Sequence, residues 1–235
     1  MNEGTRFDLA YETMPWHKVD AVVFDIGNIL IKFAPDDFLQ QLFPGDEAMQ
    51  QHMLRHVYKG PYWPCFDRGT MTYAEAARRL AAEAGGKEAD YLHALEGWIE
   101  LKTPIEEGWR AARRCKRAGK KLYLLSNYPD AGYHRLRERF ADRFDPLFDG
   151  GCISYACHQL KPKPEIYETL IGMFGLNPSR TLFLDDTLAN VEGAMRAGIN
   201  GLWVDVPGKL DAFFGTGEYM GGFRPKKARR AHGNP

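Results

Sequence analysis

Cysteine is scarce in this sequence, neither charge predominates, and no apolar run is long. Four cysteines in 235 residues are too few for a disulfide framework, and none forms a Cys-x-x-Cys pair. The 31 basic and 31 acidic residues balance, so the chain lacks the basic excess that is typical of nucleic-acid-binding proteins. The longest apolar runs are far shorter than the roughly 20 residues that a membrane-spanning helix needs. We therefore expect a soluble protein with reduced thiols that binds neither nucleic acid nor a membrane.

Neither end of the chain has the pattern of a buried helix or strand. Residues 1–10 include acidic side chains and no apolar core, so they lack the plan of a secretory signal, and we expect a cytoplasmic protein. At the other end, basic residues crowd among small ones after Gly222, a composition that is typical of a solvated tail. Binding of that tail to an anionic partner is the alternative. The prediction is flexible tails over residues 1–16 and 221–235.

Short apolar runs alternate with helical patterns in the rest of the chain. Four runs have the composition of buried strands: 21–25, 121–127, 181–186 and 201–204. A helix is predicted before the second run, with Thr103 as its N-cap, Pro104 at its first position and Gly119 just past its last turn. Strands that alternate with helices predict a mostly parallel sheet covered on both faces. The fold class is therefore α/β, with a Rossmann-like, doubly wound sheet.

The strand pattern disappears between Phe33 and Thr103. Helical signals replace it, including an apolar stripe that begins at Phe38 and a capping box formed by Thr72 and Glu75. We predict a small helical cap over residues 34–103, inserted after the first strand, and a catalytic core over 17–33 and 104–215. Open α/β sheets bind ligands at the carboxyl ends of their strands, so a cap in this place would cover the site.

Polar residues end three of the predicted strands. Asp25, Ser126 and the pair Asp185 and Asp186 should converge, because the carboxyl ends of parallel strands meet at one edge of the sheet. Three carboxylates in one crevice repel unless a cation neutralises them, and hard oxygen ligands suit Mg²⁺. A carboxylate held beside a metal can also act as a nucleophile and form an aspartyl-phosphate. Lys161, just before a helix that Pro164 begins, would supply positive charge to phosphoryl oxygens.

Each of these residues alone has a plainer interpretation. A strand-terminal Asp is often a helix N-cap or a turn residue, and Ser126-Asn127 by itself is a turn signal. Lys161 by itself would be a solvated surface lysine. Their joint appearance at strand ends is what favours a site.

Two other groups have some of the pattern of a metal site. Cys152, Cys157 and His158 lack a second ligand pair at zinc-finger spacing, so we interpret them as ordinary packing residues. His52 and His56 stand four residues apart, but the Glu of the His-Glu-x-x-His pattern is absent, which favours a solvent-facing helical turn.

Four motifs, in order along residues 19–214, resemble those of the haloacid dehalogenase-like (HAD) hydrolases. They are Val-Val-Phe-Asp25-Ile-Gly27-Asn28, Leu-Leu-Ser126-Asn127, Leu-Lys161-Pro-Lys-Pro-Glu-Ile-Tyr and Phe-Leu-Asp185-Asp186-Thr-x-x-Asn190. The helical insert is similar to the cap of that family.

The resemblance implies a role for each motif residue. It makes Asp25 the nucleophile, and Ser126 and Asn127 the residues that hold the phosphoryl oxygens. Lys161 would neutralise charge on both the nucleophile and the phosphoryl group. The Mg²⁺ would be served by Asp25, Asp185, Asp186 and the backbone carbonyl of Gly27.

One departure from the family pattern concerns Gly27. In the family's phosphatases this position usually carries a second Asp, which protonates the leaving oxygen and later activates water. General acid–base assistance is typically worth about 10² to 10⁴ in rate, so a substrate with a good leaving group would tolerate its loss best. Asp67 and His158 are conceivable replacements.

The Asp-x-Gly-Asn form resembles a bacterial subgroup that includes phosphatases acting on α-glucose 1-phosphate, whose anomeric oxygen departs readily. The expected partner is a small phosphorylated metabolite, with sugar 1-phosphates as the first substrate candidates. Cap residues Trp63, Phe66 and Arg68 match the subgroup's aromatic and Arg-Gly segment and are candidates to face the substrate, although aromatic residues at such positions are usually core residues. The alternative is that both aromatic side chains pack in the cap core and the arginine is solvated.

The leading hypothesis is therefore a Mg²⁺-dependent phosphatase that works through an aspartyl-phosphate. A 2-haloacid dehalogenase-type hydrolase is the first alternative, although it needs no metal and would gain nothing from Asp185 and Asp186. A phosphate-ligand or partner-binding protein that has lost turnover is the second, with Gly27 as its support. No sequence feature specifies the oligomeric state.

Overall fold

The computed structural model describes residues 11–215 and 221–225. In this part of the chain one sheet has seven strands in the order β1-β7-β6-β5-β2-β3-β4. Their bounds are Tyr11–Pro15 (β1), Ala21–Phe24 (β2), Lys121–Ser126 (β3), Gly150–Ile153 (β4), Thr181–Asp185 (β5), Asn200–Trp203 (β6) and Gly221–Pro225 (β7). The five strands β6-β5-β2-β3-β4 pair in parallel, whereas β7 and β1 add an antiparallel edge.

Strand β2 lies at the middle of the parallel part of the sheet and is fully buried. Its side chains alternate between two apolar clusters, since Val22 and Phe24 belong to one and Val23 to the other. Both faces of the sheet are therefore covered. The predicted doubly wound α/β fold is confirmed.

The segment between β2 and β3 begins with five helices. They are Pro35–Leu42 (α1), Glu47–Met53 (α2), Trp63–Asp67 (α3), Tyr73–Ala84 (α4) and Glu88–Glu100 (α5), with a π-helical stretch at Leu54–Tyr58. Thr72 caps α4 as predicted, because its hydroxyl accepts a hydrogen bond from the Glu75 amide at 3.2 Å. The limits of a separate cap domain stay a prediction.

Seven helices accompany the strands from α6 onward. They are Glu106–Arg117 (α6), Asp130–Arg139 (α7), Ala141–Phe144 (α8), Ser154–Cys157 (α9), Pro164–Phe174 (α10), Leu188–Arg196 (α11) and Lys209–Gly215 (α12). Short 3-10 turns cover Trp16–Lys18 and Pro178–Arg180. No helix in the described part of the chain has the length and apolar character of a membrane span.

Helix α6 begins two residues later than the sequence predicts. Its N-cap is Ile105 rather than Thr103, and Pro104 forms a bridge with Ile31. The Ile105 amide donates to the Leu30 carbonyl at 2.8 Å. Residues 103–105 are therefore held extended by a partner distant in sequence, which local capping signals do not reveal.

The tail predictions are partly wrong. Residues 11–15 and 221–225, which we assigned to flexible tails, pair with each other as antiparallel strands, and β7 also pairs with β6. The physical reason is the open edge of β6, which offers unpaired backbone groups to any strand that can reach it. Trp16, the last residue of the first predicted tail, begins a 3-10 turn. Residues 1–10 and 226–235, with all of the basic cluster except Arg224, lie outside the described residues, as do residues 216–220.

Gly108 lets α6 approach the loop that follows β2. A Cβ atom at this position would lie 1.9 Å from the Ile29 carbonyl oxygen. The neighbouring Trp109 indole nitrogen donates to the Leu30 carbonyl at 2.9 Å, which fixes the same contact. The close approach holds the backbone next to Asp25 in place.

We expect Gly108→Ala to lower the free energy of unfolding by about 2 kcal/mol or more, because a backbone carbonyl must move. Gly172→Ala is the matched control, since Gly172 lies in α10 with open space around the Cβ position. That variant should raise the free energy of unfolding by about 0.5 kcal/mol, through helix propensity alone. Urea unfolding of both variants checks the pair, and equal effects would show that the predicted contact is absent.

Candidate active site

Polar side chains from three neighbouring strands meet at the carboxyl edge of the sheet. Phe24 is level with Leu124 and Leu184, so Asp25, just after β2, lies beside the ends of β3 and β5. Ser126 ends β3 and Asp185 ends β5. All of these polar residues are buried. The convergence that the sequence predicts is what the structure shows.

Lys161 is the cation at the centre of this group. Its Nζ lies 2.8 Å from Asp25 Oδ1 and 2.6 Å from Asp185 Oδ2, and its side chain is 1% exposed. Burial opposes the charge on Lys161, but Asp185 and Asp25 outweigh it and hold the pKa above the ordinary lysine value. Lys161 therefore stays positively charged between two carboxylates.

Asn127 fixes the backbone of Lys161. The Asn127 amide group donates to the Lys161 carbonyl at 3.1 Å, and its carbonyl oxygen accepts from the Lys161 amide at 2.9 Å. This reciprocal pair joins the end of β3 to the loop before α10. Two of the three residues that the resemblance assigns to phosphate binding are thus hydrogen-bonded to each other.

Asp185 is already saturated by protein donors. Its Oδ1 accepts from the Thr187 amide at 2.8 Å and from the Asn190 side chain at 3.1 Å, while Oδ2 accepts from Lys161. Burial raises the pKa of Asp185, and the lysine acts in the opposite direction. These contacts suit a carboxylate that positions Lys161.

Asn28 is a site residue to which the sequence analysis gave no role. Its backbone has φ +53°, in the left-handed region that Asn tolerates better than most residues. Its side chain donates to Asp186 Oδ2 at 2.9 Å and accepts from the Phe33 amide at 3.0 Å. Asn28 therefore orients Asp186, and its place in the first motif was the one signal that could have indicated this.

The carboxylates of Asp25, Asp185 and Asp186 each bring an oxygen within 4.8 Å of the other two. Hard carboxylate oxygens at this spacing are the donor set that Mg²⁺ prefers. The Asp185 oxygens already accept hydrogen bonds from Lys161, Thr187 and Asn190. Asp25 and Asp186 are therefore the carboxylates best placed for a metal. The residues present fit the predicted magnesium site.

A cavity of about 240 Å³ opens at this group. The carboxylates Asp25 and Asp186 contribute to its wall, together with Ser126, Asn127 and Lys161. Much of the remaining wall is apolar: Ile31, Phe33, Trp63, Trp98, Tyr128 and Pro129. The cavity therefore offers polar groups to the phosphate of a bound ester and a mostly aromatic wall to its organic group.

The three cap residues predicted to face a substrate lie in different places. Trp63 lines the cavity beside Asp25. Phe66 is buried and lines an adjoining cavity of about 530 Å³. Arg68 offers its backbone carbonyl to His158 Nδ1 at 2.8 Å, which docks this part of the cap on the core. A role in substrate binding stays a prediction for each of them.

Lys102 is a second buried lysine in the cavity wall, and no motif in the sequence indicates it. Its Nζ lies 3.6 Å from the ring centre of Trp98 and about 5 Å from those of Phe33 and Phe38. Burial lowers its pKa well below the ordinary value. Trp98 stands only four residues earlier, but Phe33 and Phe38 come from a distant segment, so the local sequence does not show that Lys102 is enclosed by aromatic rings.

The two rejected metal groups show ordinary packing. The Sγ atoms of Cys152 and Cys157 lie 3.7 Å apart as free thiols, and His158 contacts a backbone carbonyl. His52 is half-buried rather than solvent-facing, because its Nε2 lies 2.5 Å from the Tyr91 hydroxyl.

The fold and the site together define an α/β enzyme with a carboxylate cluster at the carboxyl edge of its sheet. A family model of haloacid dehalogenase-like hydrolases matches residues 19–198. The chain therefore belongs to this family.

Its curated relatives include phosphatases. It is 26% identical over 182 residues to the sesquiterpene phosphatase astK of Aspergillus oryzae, which covers 77% of this chain and 88% of the relative. It is 24% identical over 174 residues to D-ribitol-5-phosphate phosphatase of Bacteroides thetaiotaomicron. That match covers 72% of this chain and 84% of the relative.

Solved structures of HAD enzymes share the fold. A Bacteroides thetaiotaomicron HAD family enzyme in complex with magnesium and inorganic phosphate superimposes with a TM-score of 0.60 at 20% identity, covering 79% of this chain and 93% of that one. L-2-haloacid dehalogenase from Xanthobacter autotrophicus gives a TM-score of 0.59 at 23% identity, covering 79% and 77%. At these identities the likeness concerns the fold alone.

Proposed function

We propose that this chain is a Mg²⁺-dependent phosphatase that hydrolyses a small phosphomonoester through an aspartyl-phosphate at Asp25. The observation that carries the proposal is the ion-paired arrangement of Lys161 with Asp25 and Asp185, beside Asp186 and inside one cavity. Lys161 places positive charge 2.8 Å from Asp25 Oδ1, where a phosphoryl group would approach the carboxylate. A carboxylate held in this way at the wall of a cavity can act as a nucleophile.

Each site residue has a distinct role in the proposed reaction. An Asp25 carboxylate oxygen attacks phosphorus, while Ser126 and Asn127 bind the phosphoryl oxygens and Lys161 offsets their charge. Asp25, Asp186 and the Gly27 carbonyl would hold Mg²⁺, which when bound would supply positive charge to offset that of the phosphoryl group. Asn28 keeps Asp186 oriented, and Asn190 keeps Asp185 turned toward Lys161.

Asp186 favours a phosphatase over a dehalogenase. Its carboxylate is kept in place by Asn28 and adds negative charge next to Asp25. That charge would oppose the binding of a haloacid and the departure of halide, whereas a phosphatase would use it to bind a metal ion.

The cytoplasmic location expected from the sequence stays a prediction.

Two substrate classes follow from the site. Sugar 1-phosphates are the first, because an anomeric oxygen departs readily and depends least on a proton donor. The aromatic wall formed by Phe33, Trp63 and Trp98 favours a second class, phosphomonoesters with an apolar organic group. The similarity to a sesquiterpene phosphatase points in the same direction.

A panel of esters tests the proposal. Phosphate release should require Mg²⁺, stop with chelator, and be measurable for α-glucose 1-phosphate, a prenyl monophosphate and 4-nitrophenyl phosphate. Saturating Mg²⁺ should also raise the unfolding temperature, since a ligand at about 100 times its Kd adds about 2.7 kcal/mol to the native state. Glucose 6-phosphate is the comparison with an ordinary alcohol as leaving group.

Other outcomes would contradict the proposal. Metal-independent halide release from 2-chloropropionate would indicate the dehalogenase. Thermal stabilisation by phosphate esters without turnover on any of them would indicate a binding protein.

A further inference from the structure

A phosphatase that acts on an alkyl ester must deliver a proton to the leaving oxygen. Without it the alcohol departs as a high-energy alkoxide, and the same group is needed later to take a proton from water. Gly27, two residues after the proposed nucleophile, has no side chain to do this. The proton must therefore come from another group in the cavity wall.

Both lysines of the cavity wall and Asp186 are already engaged, and the Nζ of Lys102 packs 3.6 Å from the ring centre of Trp98. Lys161 is committed to Asp25 and Asp185, and Asp186 is bonded to Asn28 within the proposed metal set. His158 lines the adjoining cavity and contacts a backbone carbonyl, so it is not placed for the task.

Asp67 is the carboxyl that remains. It is the last residue of α3 and lines the same cavity as Asp25. Its Oδ1 is buried and has no hydrogen-bond partner among the described residues. A buried carboxyl oxygen without a partner is costly, so this atom is suited to a group that arrives with the substrate.

The backbone around Asp67 is fixed to the core. The fully buried Ser154 hydroxyl donates to the Asp67 carbonyl and accepts from the Tyr128 amide at 2.9 Å. Tyr128 directly follows Asn127, which holds Lys161. Asp67 is thus positioned against the phosphate-binding loop, although it belongs to the inserted helical segment.

The surroundings of Asp67 favour a proton that can move in either direction. Burial raises the pKa of Asp67 to about 7, with Lys161 acting to lower it and Asp25 to raise it. The buried hydroxyls of Tyr73 and Tyr128 also interact electrostatically with Asp67. A group that is close to half-protonated near neutral pH can act both as an acid and as a base.

We propose that Asp67 is the general acid and base of this enzyme, supplied by the helical insert in place of a side chain at position 27. The proposal rests on the proposed phosphatase function. In the first step Asp25 forms a bond to phosphorus, the bond from phosphorus to the leaving oxygen breaks, and the Asp67 proton passes to that oxygen to give the alcohol. In the second step the Asp67 carboxylate takes a proton from water, the water oxygen bonds to phosphorus, and the bond from phosphorus to the Asp25 oxygen breaks. Inorganic phosphate and the starting enzyme result.

Esters with different leaving groups test this role. Asp67→Asn should lower kcat/KM for glucose 6-phosphate by about 10² to 10⁴, because an alkoxide needs the proton. For 4-nitrophenyl phosphate, whose leaving group needs no proton, kcat/KM should change by less than about tenfold. That ester should also give a burst of nitrophenol in the variant, since hydrolysis of phospho-Asp25 would be slowed.

Equal losses of kcat/KM on both esters would overturn the proposal, because they would show a structural or binding role. Asp36→Asn, the same change at an exposed position of α1, should leave both values unaltered. Asp67→Ser repeats the comparison if the Asn variant unfolds early.

Rescue offers a second test. A Cβ atom at Gly27 would lie 3.9 Å from Asp25 Oδ2, an ordinary contact, so the backbone leaves room for a side chain to begin there. Adding Gly27→Asp to Asp67→Asn should restore hydrolysis of glucose 6-phosphate relative to the aryl ester. An unchanged ratio of the two kcat/KM values would contradict the acid role. Wild-type enzyme that is inactive on every ester would instead refute the phosphatase function itself.

Discussion

Replacing Asp25 by Asn is expected to abolish phosphate release, with kcat reduced by about 10⁴-fold or more. The amide has nearly the same shape as the carboxylate but cannot form an acyl-phosphate, so the covalent route is lost. Asp25 is also one of the two carboxylates that we propose for Mg²⁺, and its charge would be lost from that site. The measurement is Mg²⁺-dependent phosphate release from the best ester of the panel.

Asp20→Asn is the matched control, because Asp20 stands at the opposite end of β2. Its carboxylate is exposed and pairs with Arg180, so the change costs at most about 1 kcal/mol of stability and no activity. Full activity in Asp25→Asn would refute the covalent mechanism. Loss of activity in both variants would indicate damage to β2 rather than removal of a nucleophile.

The parallel core and its polar edge could be predicted because both depend on local patterns. Buried strands in an α/β sheet are short apolar runs, and their last residues must meet at one edge once the strands are parallel. Asp25, Ser126 and Asp185 could therefore be brought together from sequence. The fully buried position of Lys161 between two of them could be inferred only from the family resemblance, since the residue itself lies in a loop.

What the sequence did not reveal depends on contacts between distant segments. The pairing of Tyr11–Pro15 with Gly221–Pro225 joins the two ends of the described chain, and neither segment has a strong strand pattern. Phe33 and Phe38, which pack near the Nζ of Lys102, lie far earlier in the chain. From the sequence, Asp67 and His158 were equivalent candidates for the missing general acid. In the structure Asp67 lines the cavity that contains Asp25, whereas His158 lines the adjoining cavity. Local propensity carries no information about such contacts.

Lys161→Met is expected to have the largest effect on stability. Lys161 is the cation that Asp25 and Asp185 share, at 2.8 and 2.6 Å, and both carboxylates are buried. Removing it leaves two like charges uncompensated, which should lower the free energy of unfolding by about 3 to 5 kcal/mol and stop turnover. Urea unfolding in the presence of chelator measures the loss without a metal ion taking the place of the ammonium group.

Lys163→Met is the control, because Lys163 lies two residues further along and is exposed. It should change the free energy of unfolding by no more than about 0.5 kcal/mol.

The loss of stability in Lys161→Met should also depend on pH. Burial raises the pKa of Asp185 already in the presence of the lysine, and removal of the cation raises it further. The native variant then binds more protons than the unfolded chain, so its stability falls as pH rises through the folded-state pKa, and the loss should be larger at about pH 8 than at about pH 5. The ion pairs would contribute little to the fold if Lys161→Met lowered the free energy of unfolding by the same amount at both pH values. The same conclusion would follow if that loss were no larger than the loss in Lys163→Met.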